Sequence, residues 1–449
     1  MGNVVSSNPN INRRWVKMSN RWRKKFEKIY RADKAKITWL ESMYFINNAE
    51  FCIAKGIDGT EIFLGLRNDG TEVAIKRISK CNNYQCLKNE EHILRLPGLD
   101  YPFITRYIEF VEDDQFGYLC VQLFEHTLDE YIRVCPEYQL YNIVRSILKS
   151  LKVLHDQRVF HWDLKPQNFW IDITRRVRLA GFGLCRWSPD EETTLYTGRA
   201  EAKNWMANET LTGEDNGPLN WSTDIQGAGM LIDYVLSRGQ HQFHISIHER
   251  KYNLEQDFKG VLAKDLIEWM TDHNPNNRPG VQNCLNHPFL CSPIKKLEYL
   301  INIGKRKEVA MFKEASQDSI SSLEAYAADG YFRGWKNKFP ADLVKMMDGK
   351  KKEPCYTDNA FGLLRFIRNA QEHYLEHIEK VDVILAFPPL FGCAYKFAKS
   401  QGWNLDPRLK QMFITEDAFH SPPATFEENL SIPIQESQQV FTMPFTLLQ

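Results

Sequence analysis

The sequence predicts an α+β protein in which a strand-rich region is followed by helix-rich regions. Residues 47–126 contain short strand-like segments, with turns such as Asn68–Gly70 and one helix near residues 84–96. Residues 127–290 change to longer amphipathic patterns, for example Leu140–Leu154 and Val261–Met270. Strands first and helices afterwards are typical of α+β organisation, and 449 residues allow two to four domains.

Five consecutive regions follow from the changes in pattern. We expect a basic leader, a strand-rich lobe, a helix-rich lobe, a second helical domain and a disordered tail, over residues 1–46, 47–126, 127–290, 293–415 and 416–449. The tail contains four prolines and no Lys or Arg, which is why disorder is expected there.

Composition excludes several classes of protein. The formal net charge is zero, so the chain as a whole indicates neither a nucleic-acid-binding nor a membrane-binding protein. Ten scattered cysteines form no CxxC pair, which argues against a zinc module and against a disulfide framework. No apolar run reaches the ~18 residues that a transmembrane helix needs. We therefore expect a cytoplasmic protein.

The leader is the exception to this neutral average. Residues 1–36 hold eleven Lys or Arg residues against two acidic ones, a net charge of +9. The first six residues, Met1 to Ser6, fit the N-myristoylation pattern with Gly2 as the acceptor, and a lipid plus a basic segment can hold a protein on a membrane. The alternative is a basic helix that packs on the next domain through Trp15, Trp22, Phe26 and Tyr30. The sequence leaves both interpretations open.

Motifs for phosphate chemistry appear in a fixed order along the first two lobes. They are Ala54-x-Gly56-x-x-Gly59, Val73–Lys76, Asn89-Glu90, His161–Asn168 and Gly181–Gly183. Their order and spacing resemble the signature set of protein kinases, whose fold has two lobes. Asp224 and the pair Glu209/Arg278 resemble that family's buried supports of the helical lobe.

The resemblance implies a role for each residue that matches the kinase pattern. Gly56 and Gly59 would let the backbone approach phosphates, and Lys76, held by Glu90, would contact the phosphates of ATP or ADP. Asp163 would accept the proton of a substrate hydroxyl, and Asn168 would hold Mg²⁺. Lys76 and Glu90 can equally persist as a structural ion pair, so nucleotide binding stays open.

Departures from the kinase pattern argue against phosphoryl transfer. Gly181 stands where the family has its Mg²⁺-binding aspartate, and glycine offers no ligand atom. A loss of about 4 kcal/mol of transition-state stabilisation lowers a rate about a thousandfold. Trp162, Ala54 and Asn208 replace the family's Arg, Gly and Pro. We therefore expect a pseudokinase in which Asp163 is a vestigial base and no protein metal site remains.

The second helical domain carries a different signal. The segment Asp358–Tyr374, followed by Phe387–Leu390 and Tyr395, resembles the kinase-extension nuclease family, to which ribonuclease L and the inositol-requiring kinase/endoribonuclease of the unfolded-protein response belong. The resemblance covers roughly residues 47–415, with kinase and nuclease in the same order. The connection from Tyr374 to Ala386 is shorter than in those relatives, which puts loop specificity in doubt.

Helical periodicity gives an independent view of this segment. At 3.6 residues per turn, Leu363, Ile367, Ala370 and Tyr374 share one face and predict a core stripe. Asn369 and His373 are four residues apart and should lie side by side at the edge of that stripe, with Arg368 projecting away from it.

The resemblance implies metal-free cleavage of RNA, in which the ribose 2′-hydroxyl attacks the adjacent phosphorus. His373 would be the general acid, Tyr356 would assist proton removal or orientation, and Arg368 and Asn369 would stabilise the charged phosphorane. Basic residues nearby could add affinity for the RNA backbone: Arg333, Lys336, Lys338, Lys345, Lys350, Lys351 and Lys352.

The family also implies assembly, because nucleotide in its kinase pocket favours a dimer that pairs two nuclease domains. We therefore expect RNA and a second copy of the chain as partners. Two alternatives remain at this point. One is an active serine/threonine kinase, and the other is a non-catalytic scaffold that acts as a dominant-negative partner of a longer relative.

Overall fold

The computed structural model describes residues 13–56, 59–99, 101–187, 205–211, 221–240, 258–310, 317–349 and 356–413, and the structural statements below refer to these ranges. The predicted lipidation site at Gly2 and the tail 416–449 lie outside them.

An antiparallel sheet forms the first lobe. Its strands are β1 Thr38–Leu40, β2 Met43–Phe45, β3 Cys52–Lys55, β4 Glu61–Arg67, β5 Glu72–Ser79, β6 Tyr107–Glu112 and β7 Phe116–Gln122. The strand order is β1-β2-β4-β5-β7-β6, and β3 pairs with the first half of β4. The chain before the sheet forms α1 Arg23–Arg31, and α2 Tyr84–Leu94 lies between β5 and β6.

Alternation along β5 separates the two faces of this sheet. Val73 and Ile75 are fully buried in a cluster with Phe45, Phe63 and Tyr118 on one face. Glu72, Ala74 and Lys76 alternate with them and therefore point to the opposite face, because successive strand residues do so. That second face is directed at the helical lobe and carries the candidate nucleotide lysine.

The second lobe is mostly helical. Its helices are α3 Leu128–Tyr131, α4 Glu137–Asp156, α5 Asn208–Leu211, α6 Trp221–Leu236, α7 Phe258–Met270 and α8 Val281–Leu285. Short strands complete it: β8 His126–Thr127, β9 Val159–Phe160, β10 Phe169–Ile171, β11 Val177–Leu179 and β12 Arg186–Trp187. Helix α4 buries Leu140, Val144, Ile147, Leu151 and Leu154 on one side, at the three- and four-residue spacing of an amphipathic helix.

A second helical domain begins at Pro293, two residues after the last turn of the second lobe ends at Leu290. Its helices are α9 Pro293–Gly304, α10 Lys307–Ala310, α11 Gln317–Glu324, α12 Ala341–Asp348, α13 Ala360–His373, α14 Leu375–Ile378, α15 Val383–Ala386, α16 Pro388–Ser400 and α17 Pro407–Gln411. The predicted α+β class, a kinase-type pair of lobes with a helical domain behind it, is thus confirmed. In the described ranges no helix combines the length and the apolar character that crossing a membrane requires.

The predicted boundary at residue 46 separates residues that the structure joins in one sheet. Strand β2, which lies before that boundary, pairs with residues 65–67 of β4. Phe26 and Ile29 of α1 are fully buried, and Trp22 is 7% exposed. The part of the leader that is described therefore packs on the sheet, as the second interpretation of its aromatic residues expects.

A charged cluster joins the kinase-type lobe to the last domain. Asp265 on α7 is buried and accepts hydrogen bonds from Lys396 and Lys399 of α16; the Lys399 Nζ lies 3.0 Å from both carboxylate oxygens. His287 Nε2 lies 3.2 Å from Asp265 Oδ2. Burial opposes ionisation of Asp265, but these partners outweigh it and lower the pKa of the carboxyl group.

Candidate active site

Helix α13 carries most of the predicted nuclease residues. It begins at Ala360 because the side chain of Asn359 accepts the backbone N–H of Gly362 at 3.0 Å, which caps the helix. Leu363, Ile367 and Ala370 are completely buried, so the predicted core stripe is confirmed for them. Tyr374 is only half-buried, because the helix ends one residue before it.

Tyr356 and Asn369 are in direct contact although they are thirteen residues apart. The Asn369 amide Nδ2 donates to the Tyr356 hydroxyl at 2.8 Å. The tyrosine ring is 7% exposed and meets Phe366 edge-on, with 5.2 Å between the ring centroids. The phenol is therefore held against α13 by aromatic packing, and the amide is held in one orientation by the phenol.

Arg368 lies beside Asn369 and has a partner of its own. Its Nη1 is 3.1 Å from the Glu372 carboxylate one turn later, and this hydrogen bond lowers the pKa of that carboxyl group. Arg368 Nε is buried and has no hydrogen-bond partner in the described part of the chain. A phosphate could replace Glu372, because exposed ion pairs of this kind contribute little stability.

Gly304, the last residue of α9, determines how closely Arg368 can approach. A Cβ at this position would lie 2.8 Å from the Leu364 carbonyl oxygen and 2.8 Å from the Arg368 Cβ. Real Cβ atoms do not come so close to backbone, so only glycine permits this contact between α9 and α13. The sequence analysis did not identify this position.

His373 is exposed at the last position of α13, one turn after Asn369. Side chains four residues apart on a helix are neighbours on its surface. The amide, the guanidinium and the imidazole thus come from one end of one helix, and the phenol reaches the same amide from the preceding loop.

The basic residues predicted to contact the RNA backbone differ in whether they already have partners within the protein. Lys336 is paired with Asp348 at 2.7 Å, and Lys338 donates to the Ala386 carbonyl at 3.0 Å. Arg333 and Lys345 are exposed, and neither has an ion-pair partner within the described ranges. Residues 350–352 lie outside those ranges.

The kinase-type cleft retains its ion pair. Lys76 Nζ lies 2.5 Å from Glu90 Oε2, and both side chains are largely buried. Beside Glu90, Asn89 Nδ2 points at three backbone carbonyls, those of Phe182 at 3.3 Å, Gly183 at 3.1 Å and Cys185 at 2.9 Å. Helix α2 is thereby attached to the segment that follows Gly181, a contact that the sequence analysis missed.

Asn168, the residue to which the kinase resemblance gives a Mg²⁺ ligand role, is held by Asp163. Asn168 Nδ2 donates to the Asp163 carbonyl at 2.7 Å and to its carboxylate at 2.9 Å, and Lys165 pairs with the same carboxylate at 2.8 Å. A Cβ on Gly181 would lie 2.5 Å from Asn168 Oδ1, and Gly181 has a φ of +79°. The amide thus fills the space that a side chain at residue 181 would need.

Backbone supports of this cleft are intact. Asp224 accepts the N–H groups of His161 and Trp162, each at 2.8 Å, and holds Trp162 at a φ of +57°, which is strained for a bulky residue. Glu209 and Arg278 form a two-bond ion pair with both distances 2.8 Å. The Gly59 N–H donates to the Gly56 carbonyl at 3.2 Å.

The chain's own N-terminal segment covers part of the sheet face that carries Lys76. Glu72 accepts the Trp15 indole N–H at 2.7 Å and the Ser19 N–H at 2.6 Å. Trp22 donates its indole N–H to the Phe124 carbonyl, in the connection between the lobes, at 2.9 Å. Ala74 on this face is completely buried.

The two lobes, their retained ion pair and the fused helical domain define a kinase-type protein with an added domain. The chain belongs to the protein kinase domain family, whose model matches residues 55–290. A second family model, Ribonuclease 2-5A, matches residues 296–405. The two matches, in this order, confirm the resemblance to the kinase-extension nuclease family.

Curated relatives show the same combination. The chain is 27% identical over 380 residues to "Serine/threonine-protein kinase/endoribonuclease IRE1" of Hypocrea jecorina, covering 72% of this chain and 30% of the relative. It is 29% identical over 354 residues to the ire-1 protein of Caenorhabditis elegans (73% and 35%) and 28% identical over 355 residues to IRE2 of Homo sapiens (73% and 37%), both with the same descriptive name. The chain thus spans about a third of the length of these relatives.

Proposed function

We propose that this chain is an endoribonuclease whose last domain cuts RNA without a metal ion. The observation that carries the proposal is the grouping of an imidazole, an amide and a guanidinium at one end of α13, with the Tyr356 phenol bonded to the amide at 2.8 Å. The match of residues 296–405 to the Ribonuclease 2-5A model supports it.

The chemistry is an internal transfer at phosphorus. The ribose 2′-oxygen forms a bond to phosphorus while its proton passes to water, and the bond from phosphorus to the 5′-oxygen breaks. His373 donates the proton that the departing 5′-oxygen needs, and its exposure lets it reach a substrate. The products are a 2′,3′-cyclic phosphate and a 5′-hydroxyl. DNA cannot react, because it lacks the attacking hydroxyl.

Negative charge develops at the phosphate during the reaction, and side chains of α13 can stabilise it. Arg368 exchanges Glu372 for a phosphate oxygen and thereby gains a charge-assisted contact. Asn369 is oriented in advance by Tyr356, so no rotation of its amide is needed during the reaction. Tyr356 is the positioning residue of this set, and its hydroxyl group also orients the attacking 2′-hydroxyl.

The kinase lobes serve assembly in this proposal and do not transfer phosphate. Gly181 supplies no carboxylate, so the Mg²⁺ that phosphoryl transfer needs would lose the aspartate ligand that the family has at this position. Lys76 is held by Glu90 and keeps further N–H donors for the phosphates of ATP or ADP. A dimer of kinase lobes, in the cytoplasm or at a membrane through a lipid on Gly2, would bring two nuclease domains together.

Cleavage of a labelled stem-loop RNA by the full chain in EDTA tests the proposal. We expect a 2′,3′-cyclic phosphate product whose yield rises with protein concentration. His373→Ala should lower the rate at least a hundredfold, because general acids contribute about 10²–10⁴-fold. His377→Ala, a half-buried histidine on the next helix, is the matched control and should retain the wild-type rate.

Four outcomes would contradict the proposal. Cleavage that requires an added divalent ion would overturn the metal-free chemistry. Equal loss in both histidine variants would mean that His373 has no special role. No cleavage at any concentration would leave the non-catalytic scaffold, and transfer of labelled phosphate that depends on Asp163 would restore the active-kinase alternative.

A further inference from the structure

A cavity of about 710 Å³ lies where the sheet lobe, the helical lobe and the N-terminal segment meet. Four arginines line it, Arg67, Arg106, Arg176 and Arg178, and Glu72 is the acidic residue of the lining. The volume is within the 300–1,000 Å³ that is common for small-molecule sites. Neither the nuclease site nor the kinase motifs include any of these arginines.

Two of the four guanidinium groups already have hydrogen-bond or ion-pair partners in the protein. Arg178 donates to Asp172 at 2.7 Å and to the Ile104 carbonyl at 3.1 Å. Arg67 pairs with Asp69 at 3.0 Å, although its buried Nε has no hydrogen-bond partner in the described chain. Both are fixed at the wall of the cavity, and both keep positive charge there.

Arg106 and Arg176 differ from them because they are exposed and their side chains have no hydrogen-bond or ion-pair partner within the described ranges. Glu72 does not offer one, since its two carboxylate oxygens accept the Trp15 and Ser19 N–H groups. Unpaired like charges around one cavity repel each other unless an anion enters it. Arginine is also the residue best suited to two-bond contacts with phosphate.

Aromatic side chains complete the cavity. Tyr101 is 52% exposed and Tyr107 is half-buried, and both belong to the lining. A wall of this kind can receive a flat apolar group next to the charged one. Since the lining includes residues of both lobes and Met18 of the N-terminal segment, a bound ligand would connect all three parts.

We infer that this cavity binds a small oligophosphate compound through Arg106 and Arg176. The inference is independent of the proposed RNA cleavage and of the kinase cleft. The shared chemistry is a short chain of phosphates, which could belong to an inorganic anion or to a nucleotide.

Calorimetric titration of the full chain with inorganic tripolyphosphate in EDTA tests the site. We expect binding that Arg106→Gln and Arg176→Gln each weaken about tenfold or more. Arg175→Gln is the matched control, because it removes the same charge from the same turn but is outside the lining. Its affinity should stay within about twofold of wild type.

Competition distinguishes the two ligand sources. If ADP displaces tripolyphosphate and binds more tightly, and Tyr101→Ala removes that advantage, the site takes a nucleotide. If ADP has no advantage, the site takes the phosphate chain alone. The inference is overturned if tripolyphosphate does not bind at millimolar concentration, if Arg175→Gln weakens binding as much as Arg176→Gln, or if both lining variants bind like wild type. Unchanged melting temperatures show that the variants are folded.

Discussion

The hydrogen bond between Asn369 and Tyr356 joins a helix to the loop before it at the point where the proposed chemistry occurs. Its energy is modest, since a typical hydrogen bond contributes about 1 kcal/mol to stability. Its value lies in orientation, because an amide can present either its oxygen or its nitrogen to a phosphate. With Nδ2 directed at the phenol, the Asn369 side chain has one orientation.

Tyr356→Phe tests this role. The ring packing with Phe366 remains, so we expect the free energy of unfolding to fall by only about 1 kcal/mol. RNA cleavage should fall by about tenfold or more, because Asn369 loses its fixed partner. Single-turnover cleavage and thermal unfolding measure the two effects. An activity equal to wild type would show that the hydrogen bond is structural.

Asp233 on α6 is a buried carboxylate without a visible purpose in the proposed chemistry. It is 1% exposed, and neither carboxylate oxygen has a hydrogen-bond partner within the described chain. Burial raises the pKa of its carboxyl group from 3.8 to about 6. The folded state therefore favours the protonated form, and the contribution to stability is present below pH ~4 and lost as the pH rises through 6.

Asp233→Asn should accordingly stabilise the protein at pH 7.5 by roughly 1–3 kcal/mol and have little effect near pH 4. Melting temperatures across this pH range measure the difference. Asp318→Asn, which removes a carboxylate from an exposed position, is the control and should change nothing. A constant difference at all pH values would mean that titration of Asp233 is not its cause.

At the scale of elements, α1 and the segment before it form part of the sheet lobe. Two buried carboxylates, Glu72 and Glu125, accept the backbone N–H groups of Ser19, Asn20 and Arg21. Trp22 then turns into the core beside Phe26. Eight of the leader's basic residues lie between 21 and 36 on this packed segment, so much of its charge is displayed by a folded structure.

Trp22→Ala should lower the free energy of unfolding by about 3–5 kcal/mol, because it leaves a large cavity and an unpaired Phe124 carbonyl. Lys24→Ala, on the exposed side of α1, should stay within about 0.5 kcal/mol of wild type. Chemical unfolding of both variants gives the comparison. Similar stabilities would mean that the N-terminal segment is not attached as the hydrogen bonds indicate.

Periodic patterns predicted the elements well, and contacts between distant residues account for what was missed. The segments Leu140–Leu154 and Val261–Met270 lie inside α4 and α7, and the helix expected near 84–96 is α2. The path of the N-terminal segment depends on hydrogen bonds across 53 and 105 residues, which no local pattern encodes. The same holds for Gly304, whose importance comes from a helix 60 residues later.

At the scale of the whole molecule, Asp265 connects the kinase domain to the nuclease-type domain. One carboxylate receives two ammonium groups and the Nε2 of His287. Burial lowers the pKa of His287 despite the nearby Asp265, which keeps its imidazole neutral near pH 7. The lowered pKa of Asp265 means that its contribution is present above pH ~4 and is lost only in more acidic solution.

Asp265→Asn should lower the free energy of unfolding by about 3–5 kcal/mol, since it leaves the partly buried Lys396 without its counter-charge. It should also separate thermal unfolding into two transitions, one for each domain. Glu268→Gln, one turn later on α7, removes an exposed pair with Lys264 at 3.8 Å and should change stability by less than about 0.5 kcal/mol. A single unshifted transition in Asp265→Asn would contradict the connecting role.

The short connection between the two domains also fixes the rotation of α9 about its own axis. Only Cys291 and Ser292 separate the last turn of the kinase domain from α9, and the Ser292 side chain caps that helix. Each helical residue advances by about 100° of rotation. One residue inserted between Ser292 and Gly304 would turn the glycine away from Arg368 and bring a bulkier neighbour to face α13. The rotation of a single helix about its axis thus links the geometry of the proposed nuclease site to the position of the kinase domain.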